Sequence, residues 1–188
     1  ASCLLVFALT RRYFGSGAAL VAAAMQGGYW IFIYFEGEFM APSLLIFLVL
    51  LTLRSVSRWT FGVTVGGAMA AGVVAGLSAL VRPNMLALIP VFVLWGVWVE
   101  WRRGDAADWF GCVRGAALFV VTSTLVVLPV TLRNHHVADD WVLITSNAGI
   151  NLFIGLDPDS SGYTPGVPEL ARLTGLDGWD SFDYPLIT

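Results

Sequence analysis

The chain of 188 residues has no lysine, only two histidines and two cysteines, and charged side chains at just 12% of positions. A soluble domain carries about 25% charged residues. Half that amount cannot cover the surface of a water-soluble globule, so a soluble enzyme is excluded. The ten basic residues, all arginine, against thirteen acidic ones leave a net charge of −3, which excludes a nucleic-acid binder. Cys3 and Cys112 are too few for a secreted disulfide scaffold and have no metal-ligand spacing. Nor does the start resemble a secretory signal, because it has neither a basic opening nor a small-residue cleavage site.

What is present is hydrophobic: 57% of residues, with a mean hydropathy of +0.78. The charges are also segregated. Intervals with none run over Tyr13–Phe35 (23 residues), Phe39–Leu53 (15), Trp59–Val81 (23), Pro83–Val99 (17) and Gly115–Leu132 (18). A helix needs about 20 apolar residues to cross a bilayer core. The expected fold is therefore an all-α integral membrane protein. It has about five full transmembrane helices, near 15–35, 38–56, 60–81, 84–101 and 114–132. A partial N-terminal helix over 1–10 precedes them, since Ala1–Thr10 is only half a span, and the chain reads as a fragment that starts inside a helix. Glu38 and Arg54 extend the shortest interval by snorkelling to the interface.

Alternating the sides of these spans puts Arg11, Arg12, Arg54, Arg58, Arg102, Arg103 and Arg114 on one face, and Arg82, Arg133 and Arg172 on the other. The arginine-rich face is expected to be cytoplasmic. The expected location is the plasma or inner membrane. The chain then divides into a transmembrane domain over 1–132, truncated at its N-terminus, and an extracytoplasmic loop region over 133–188. That tail is acidic and rich in Gly, Pro, Ser and Asn, with a short strand expected at Trp141–Thr145, a turn at Ser146–Gly149 and one short helix near Pro168–Leu173. The two cysteines fall on opposite faces, too far apart for a disulfide. Gly62-x3-Gly66 and Gly72-x3-Gly76 are small-residue pairs that permit close helix approach. Bundle packing explains them more simply than a substrate groove.

Candidate chemistry gathers on the outer face. Glu36-Gly37-Glu38 places two carboxylates at a helix-to-helix turn; the plain reading is a solvated turn, and the functional one a general base or sugar-orienting group. Arg82-Pro83-Asn84 ends a long apolar run. Arg82 must sit at the interface, as an anchor or as a fork on a phosphate, and Pro83 suits the start of the next helix. Leu128–His136 carries Arg133, Asn134 and the pair His135-His136. Adjacent histidines on a helix cannot turn both rings to one face, so a metal is not supported there. Asp157-Pro158-Asp159 has the Asp-x-Asp pattern of metal-dependent sugar transferases, but three residues are a low-information match and an acidic turn is clearly the better reading.

Two longer runs carry a family resemblance. One is Ala75–Asn84, ending Leu80-Val81-Arg82-Pro83-Asn84, followed by an apolar helix. The other is Leu128-Pro129-Val130-Thr131-Leu132-Arg133-Asn134-His135 followed by Ile144–Gly155. In order and spacing these resemble the GT-C membrane glycosyltransferases, in the group of dolichyl-phosphate-mannose–protein mannosyltransferases and bacterial aminoarabinose transferases. Phe35–Phe39 is similar to an outer-loop turn of bacterial members. The resemblance spans residues 10–160, with no single diagnostic motif.

It implies transfer of a sugar from a polyprenyl-phosphate donor to a protein, lipid or glycan acceptor on the extracytoplasmic side. Arg82 and Arg133 would then hold the carrier phosphate, with Asn84 and Asn134 as polar neighbours and Glu36 and Glu38 as acidic contributors. The family's principal carboxylate lies in a first outer loop that would precede Ala1, so the fragment alone is expected to be inactive. A divalent metal is compatible with the family, but no residues here argue for one. The alternative classes are a multi-pass transporter or flippase, or a structural subunit. A transporter would place ionisable groups at mid-membrane rather than at span ends.

Overall fold

The computed structural model describes residues 1–37, 41–61, 64–103, 109–139 and 141–145. The chain divides into two compact units, Ala1–Ile144 and Thr145–Thr188, and the helices among the described residues belong to the first. In order they are α1 (Ser2–Gly28), α2 (Trp30–Gly37), α3 (Ala41–Phe61), α4 (Val65–Val81), a 3₁₀ turn (Pro83–Ala87), α5 (Leu88–Arg103) and α6 (Trp109–Ala138). No strand occurs among the described residues. The all-helical expectation holds for them.

By length and composition alone two helices, α1 (taken across its break at Gly15) and α6, are long and apolar enough to cross a membrane, and a third candidate is the pair α2 and α3, bent by 116°. This is fewer than the five spans expected from the charge-free intervals. Helices α4 and α5 account for two of the missing ones: they are apolar but short, α4 with 17 residues and α5 with 16. At 1.5 Å per residue that is about 25 Å of helix, against a hydrocarbon core of about 30 Å.

The helix α1 is not a straight rod. Gly15 stands at φ +82° and ψ 176° inside it, a conformation open to glycine and costly for any residue with a Cβ. A Cβ built on Gly27 would meet the Sγ of Cys3 at 3.6 Å. In a straight helix those positions would be separated by about 36 Å. The two halves of α1 therefore fold back on each other about Gly15. Arg11 and Arg12, both exposed, stay in helical conformation close to the bend, where the sequence led us to expect a break between a partial helix and the next span.

The centre of the unit is α4, which packs against both α3 and α6. Its buried residues, Ala68, Ala71, Gly72, Ala75, Gly76, Ser78 and Ala79, are all small, so neighbouring backbones come close. A Cβ on Gly72 would collide with Thr122 and the Phe119 carbonyl. One on Gly76 would lie 2.8 Å from Val126 Cβ and 2.9 Å from the Ser123 carbonyl oxygen. The pair Gly72-x3-Gly76 is thus the contact with α6, as bundle packing predicts. Gly66 faces open space, and its expected partner Gly62 lies outside the described residues. Around this seam Val56 of α3, Phe92 of α5 and Phe119 of α6 complete the core, with the two phenyl rings edge to face at 6.4 Å.

Hydroxyls inside this core are satisfied within their own helices. Thr52 donates to the Leu48 carbonyl at 2.8 Å, Ser78 to Val74 at 2.9 Å and Ser123 to Phe119 at 2.8 Å. An apolar surrounding offers no water for such groups, and bonding one turn back removes the cost of burying them. Cys112 is buried near the start of α6, while Cys3 lies in α1 beside Gly27.

Candidate functional site

The register of α4 against α6 decides where the two outer arginines lie. Gly72 faces Thr122 and Gly76 faces Val126, a constant offset of 50 positions, so the two helices run parallel. Continuing that register brings Arg82, just past the end of α4, level with Leu132 and Arg133 on α6. The two residues singled out in separate motifs thus reach the same end of the bundle. Helix α3 runs the opposite way: its Val49 and Thr52 line a small cavity with Ala75 and Ser78, while Val56 joins the core cluster with Ala68 and Ala71. The start of α3, next to the Glu36 turn, accordingly lies toward that same end.

Arg82 is exposed at the break between α4 and the 3₁₀ turn. Its backbone N–H donates to the Ser78 carbonyl at 3.0 Å, closing α4, and its carbonyl accepts from the Met85 N–H at 2.9 Å, opening the turn. Pro83 follows at the first position of the turn, where its missing N–H costs nothing. Asn84 is also exposed on this turn, and Arg133 is exposed on α6. Glu36 is exposed at the end of α2, and Glu38 lies outside the described residues. Two guanidinium groups free of a buried setting can take a phosphate by bidentate hydrogen bonding.

Asn134 does something else. Its Nδ2 donates to the Val142 carbonyl at 3.2 Å and to the Ile144 carbonyl at 3.0 Å, which commits both amide hydrogens. Thr131, one turn earlier on the same face, donates to the Leu143 carbonyl at 2.7 Å. His135 stacks on Trp141 with ring centroids 4.1 Å apart and 15° between planes. The expected strand at Trp141–Thr145 is therefore corrected: these residues form no ladder but an irregular strap laid back along the last turn of α6. Asp139 makes the reversal. It adopts φ +54°, the left-handed conformation that aspartate tolerates, and its N–H caps the helix on the His135 carbonyl at 2.9 Å. Helix α6 consequently continues past Leu132 to Ala138.

Between the 3₁₀ turn, the start of α5 and the C-terminal half of α6 lies a cavity of about 240 Å³. Leu86, Ile89, Val127, Leu128, Thr131 and the strap's Leu143 contribute to its wall. It is apolar and sits next to the end marked by Arg82 and Arg133. Thr131 and the strap are the functional elements that sequence reasoning missed. The spacing of Thr131, Asn134 and His135 on one helical face was the available signal, because three polar residues there require polar or stacking partners.

Among the described residues no group of three or more His, Cys, Asp or Glu side chains gathers as a metal site. His135 is engaged with Trp141 and His136 is exposed. The Asp157-Pro158-Asp159 pattern, the Ser146–Gly149 turn and the helix expected near Pro168–Leu173 lie outside the described residues. No protein-family model matches the chain, and neither a curated protein nor a solved structure is similar to it.

Proposed function

We propose that this chain is part of a multi-pass membrane glycosyltransferase that moves a sugar from a polyprenyl-phosphate donor to an acceptor on the extracytoplasmic side. The observation that supports the reading is the parallel register of α4 and α6 at Gly72 and Gly76, which, continued, carries Arg82 and Arg133 to one end of a hydrophobic helix bundle. A departing lipid phosphate gathers negative charge, and preorganised guanidinium groups stabilise that charge at the transition state. Asn84 stands beside Arg82 as a polar neighbour, and Glu36 supplies an acidic group toward the same end. Asn134 acts through the strap rather than on the phosphate.

In this reading the chain crosses the membrane about five times after a partial first helix, with the seven-arginine face in the cytoplasm and residues 133–188 outside. Two features support it. The fold of α1 at Gly15 separates residues 2–14 from residues 16–28, in keeping with a partial helix ahead of the next segment. Exposed aromatic residues also cluster toward charged helix ends. Trp98, Trp101 and Trp109 lie near Arg102 and Arg103, with Arg102 over the Trp98 ring at 5.0 Å, and Tyr29, Trp30 and Tyr34 precede Glu36. Trp and Tyr favour the membrane–water interface.

A transporter or flippase is the second reading, favoured by the breaks at Gly15 and Tyr29, since transporters use discontinuous helices. The distinguishing experiment supplies the full-length protein with polyprenyl-phosphate sugar in proteoliposomes. Release of carrier phosphate together with a glycosylated acceptor supports the transferase. Movement of the intact lipid-sugar across the bilayer supports the transporter.

A further inference from the structure

The strap at 141–144 is fastened in an unusual way. Trp141 and Leu143 are 69% and 61% exposed, so little apolar burial holds them down. The attachment consists of one Thr131 hydroxyl, the two amide hydrogens of Asn134 and the His135–Trp141 stack. All three anchoring side chains come from one face of α6, and every hydrogen bond they give the strap goes to its backbone. Meanwhile Leu143, whose carbonyl Thr131 holds, forms part of the wall of the 240 Å³ apolar cavity. A segment with few buried apolar contacts and a handful of fastening bonds is the kind that opens locally without global unfolding.

We propose that residues 141–144 are a detachable strap. Clamped by Thr131 and Asn134 it holds Leu143 on the rim of the partly open hollow between the 3₁₀ turn, α5 and α6, and released it widens the mouth of that hollow at the Arg82 and Arg133 end. Asn134 is the main positioning residue, because one side chain grips the strap on both sides of Leu143, at Val142 and Ile144. The hollow, about 240 Å³ and open on one side, is mostly apolar, with Ser123 and Thr124 also in its wall. An apolar group of that size or somewhat larger is what the opened strap would admit. The inference does not depend on glycosyl transfer and is tested without it.

The test reads thiol accessibility in proteoliposomes. Leu86→Cys is placed in the cavity wall on a Cys3→Ser background, and buried Cys112 remains as an internal monitor of bundle integrity. A water-soluble maleimide should label position 86 slowly when the strap is intact. Asn134→Leu removes two hydrogen bonds and should accelerate labelling by about five- to thirtyfold. Thr131→Val should give a smaller acceleration, and Thr131→Ser, which keeps the hydroxyl, should restore the slow rate. Cys112 should stay protected throughout. Unchanged labelling in both Asn134→Leu and Thr131→Val, with Cys112 protected, overturns the proposal. If Asn134→Leu exposes Cys112, the bundle itself has come apart and the Thr131 pair decides: equal rates for Val and Ser overturn the strap, and a faster rate for Val alone supports it.

Discussion

Gly72 of α4 lies so close to Thr122 of α6 that a single added methyl group would overlap the threonine side chain. This contact, repeated at Gly76, sets the register of the two helices, which carries Arg82 and Arg133 toward the same end of the bundle. Overpacking a close seam costs about 1–3 kcal/mol. Gly72→Ala and Gly76→Ala should each destabilise the bundle by about that amount. The neighbouring atoms at Gly76 include a backbone carbonyl, which cannot move aside as a flexible side chain would. Gly66→Ala faces open space and should be neutral or stabilising by up to about 1 kcal/mol through helix propensity. Denaturant unfolding in detergent micelles compares the three variants directly.

The fold of α1 predicts a cross-link. Cys3 Sγ lies 3.6 Å from the place a Cβ would take at position 27, close enough for a disulfide after small side-chain adjustment. Gly27→Cys should therefore form an intramolecular bond with Cys3 under mild oxidation, detectable by mass spectrometry of the intact chain. A continuous rod through Gly15 would keep the thiols about 36 Å apart and give no bond. Gly15→Ala should reduce the cross-linking yield, because alanine resists the positive φ by about 1–2 kcal/mol.

The proposed topology puts Asn84 and His136 on one side of the membrane and Arg102 on the other. Single cysteines at Asn84 and His136, on the Cys3→Ser background, should react with an impermeant thiol reagent added to intact cells. A cysteine at Arg102 should react only after permeabilisation. Labelling of Asn84 and His136 from opposite sides would contradict the parallel arrangement of α4 and α6.

Much of the hydrophobic organisation was legible in the chain because charge placement is unambiguous when charges are rare. The break at Arg82-Pro83 was visible as an arginine ending an apolar run before a helix-starting proline, and the structure puts a 3₁₀ turn there. Gly72-x3-Gly76 was legible as a packing motif for the same reason, since only backbone contact uses two small residues at that spacing. The fold at Gly15 was not. Glycine is common in membrane helices, and nothing local separates Gly15 from Gly17, which stays helical. The strap was missed because Trp141–Thr145 has the apolar, β-branched character of a strand, and period-2 reasoning cannot see that helix side chains will take its carbonyls. The family resemblance made Asn134 a polar neighbour of Arg133; on a helix the two point about 100° apart, and the Asn134 amide hydrogens bind the strap, which the sequence did not show.

The arginines carry the functional reading, so their removal should be costly. In the full-length protein, Arg82→Ala or Arg133→Ala should lower sugar transfer by about 10²–10³-fold if each stabilises charge on the departing phosphate. Arg82→Lys should recover only part of the loss, since a lysine cannot reproduce the planar fork. Asn84→Ala should have a smaller effect. Steady-state rates with saturating lipid-linked sugar measure all four.

The most direct test follows both ends of the scissile bond at once. Full-length protein is reconstituted with a polyprenyl-phosphate sugar labelled separately in the sugar and the phosphate, and acceptor added on the Arg82 and Arg133 side. The account predicts free polyprenyl phosphate and glycosylated acceptor in equal amounts, both reduced in the arginine variants. Donor that crosses the bilayer with its sugar–phosphate bond intact, and no acceptor product, would contradict it.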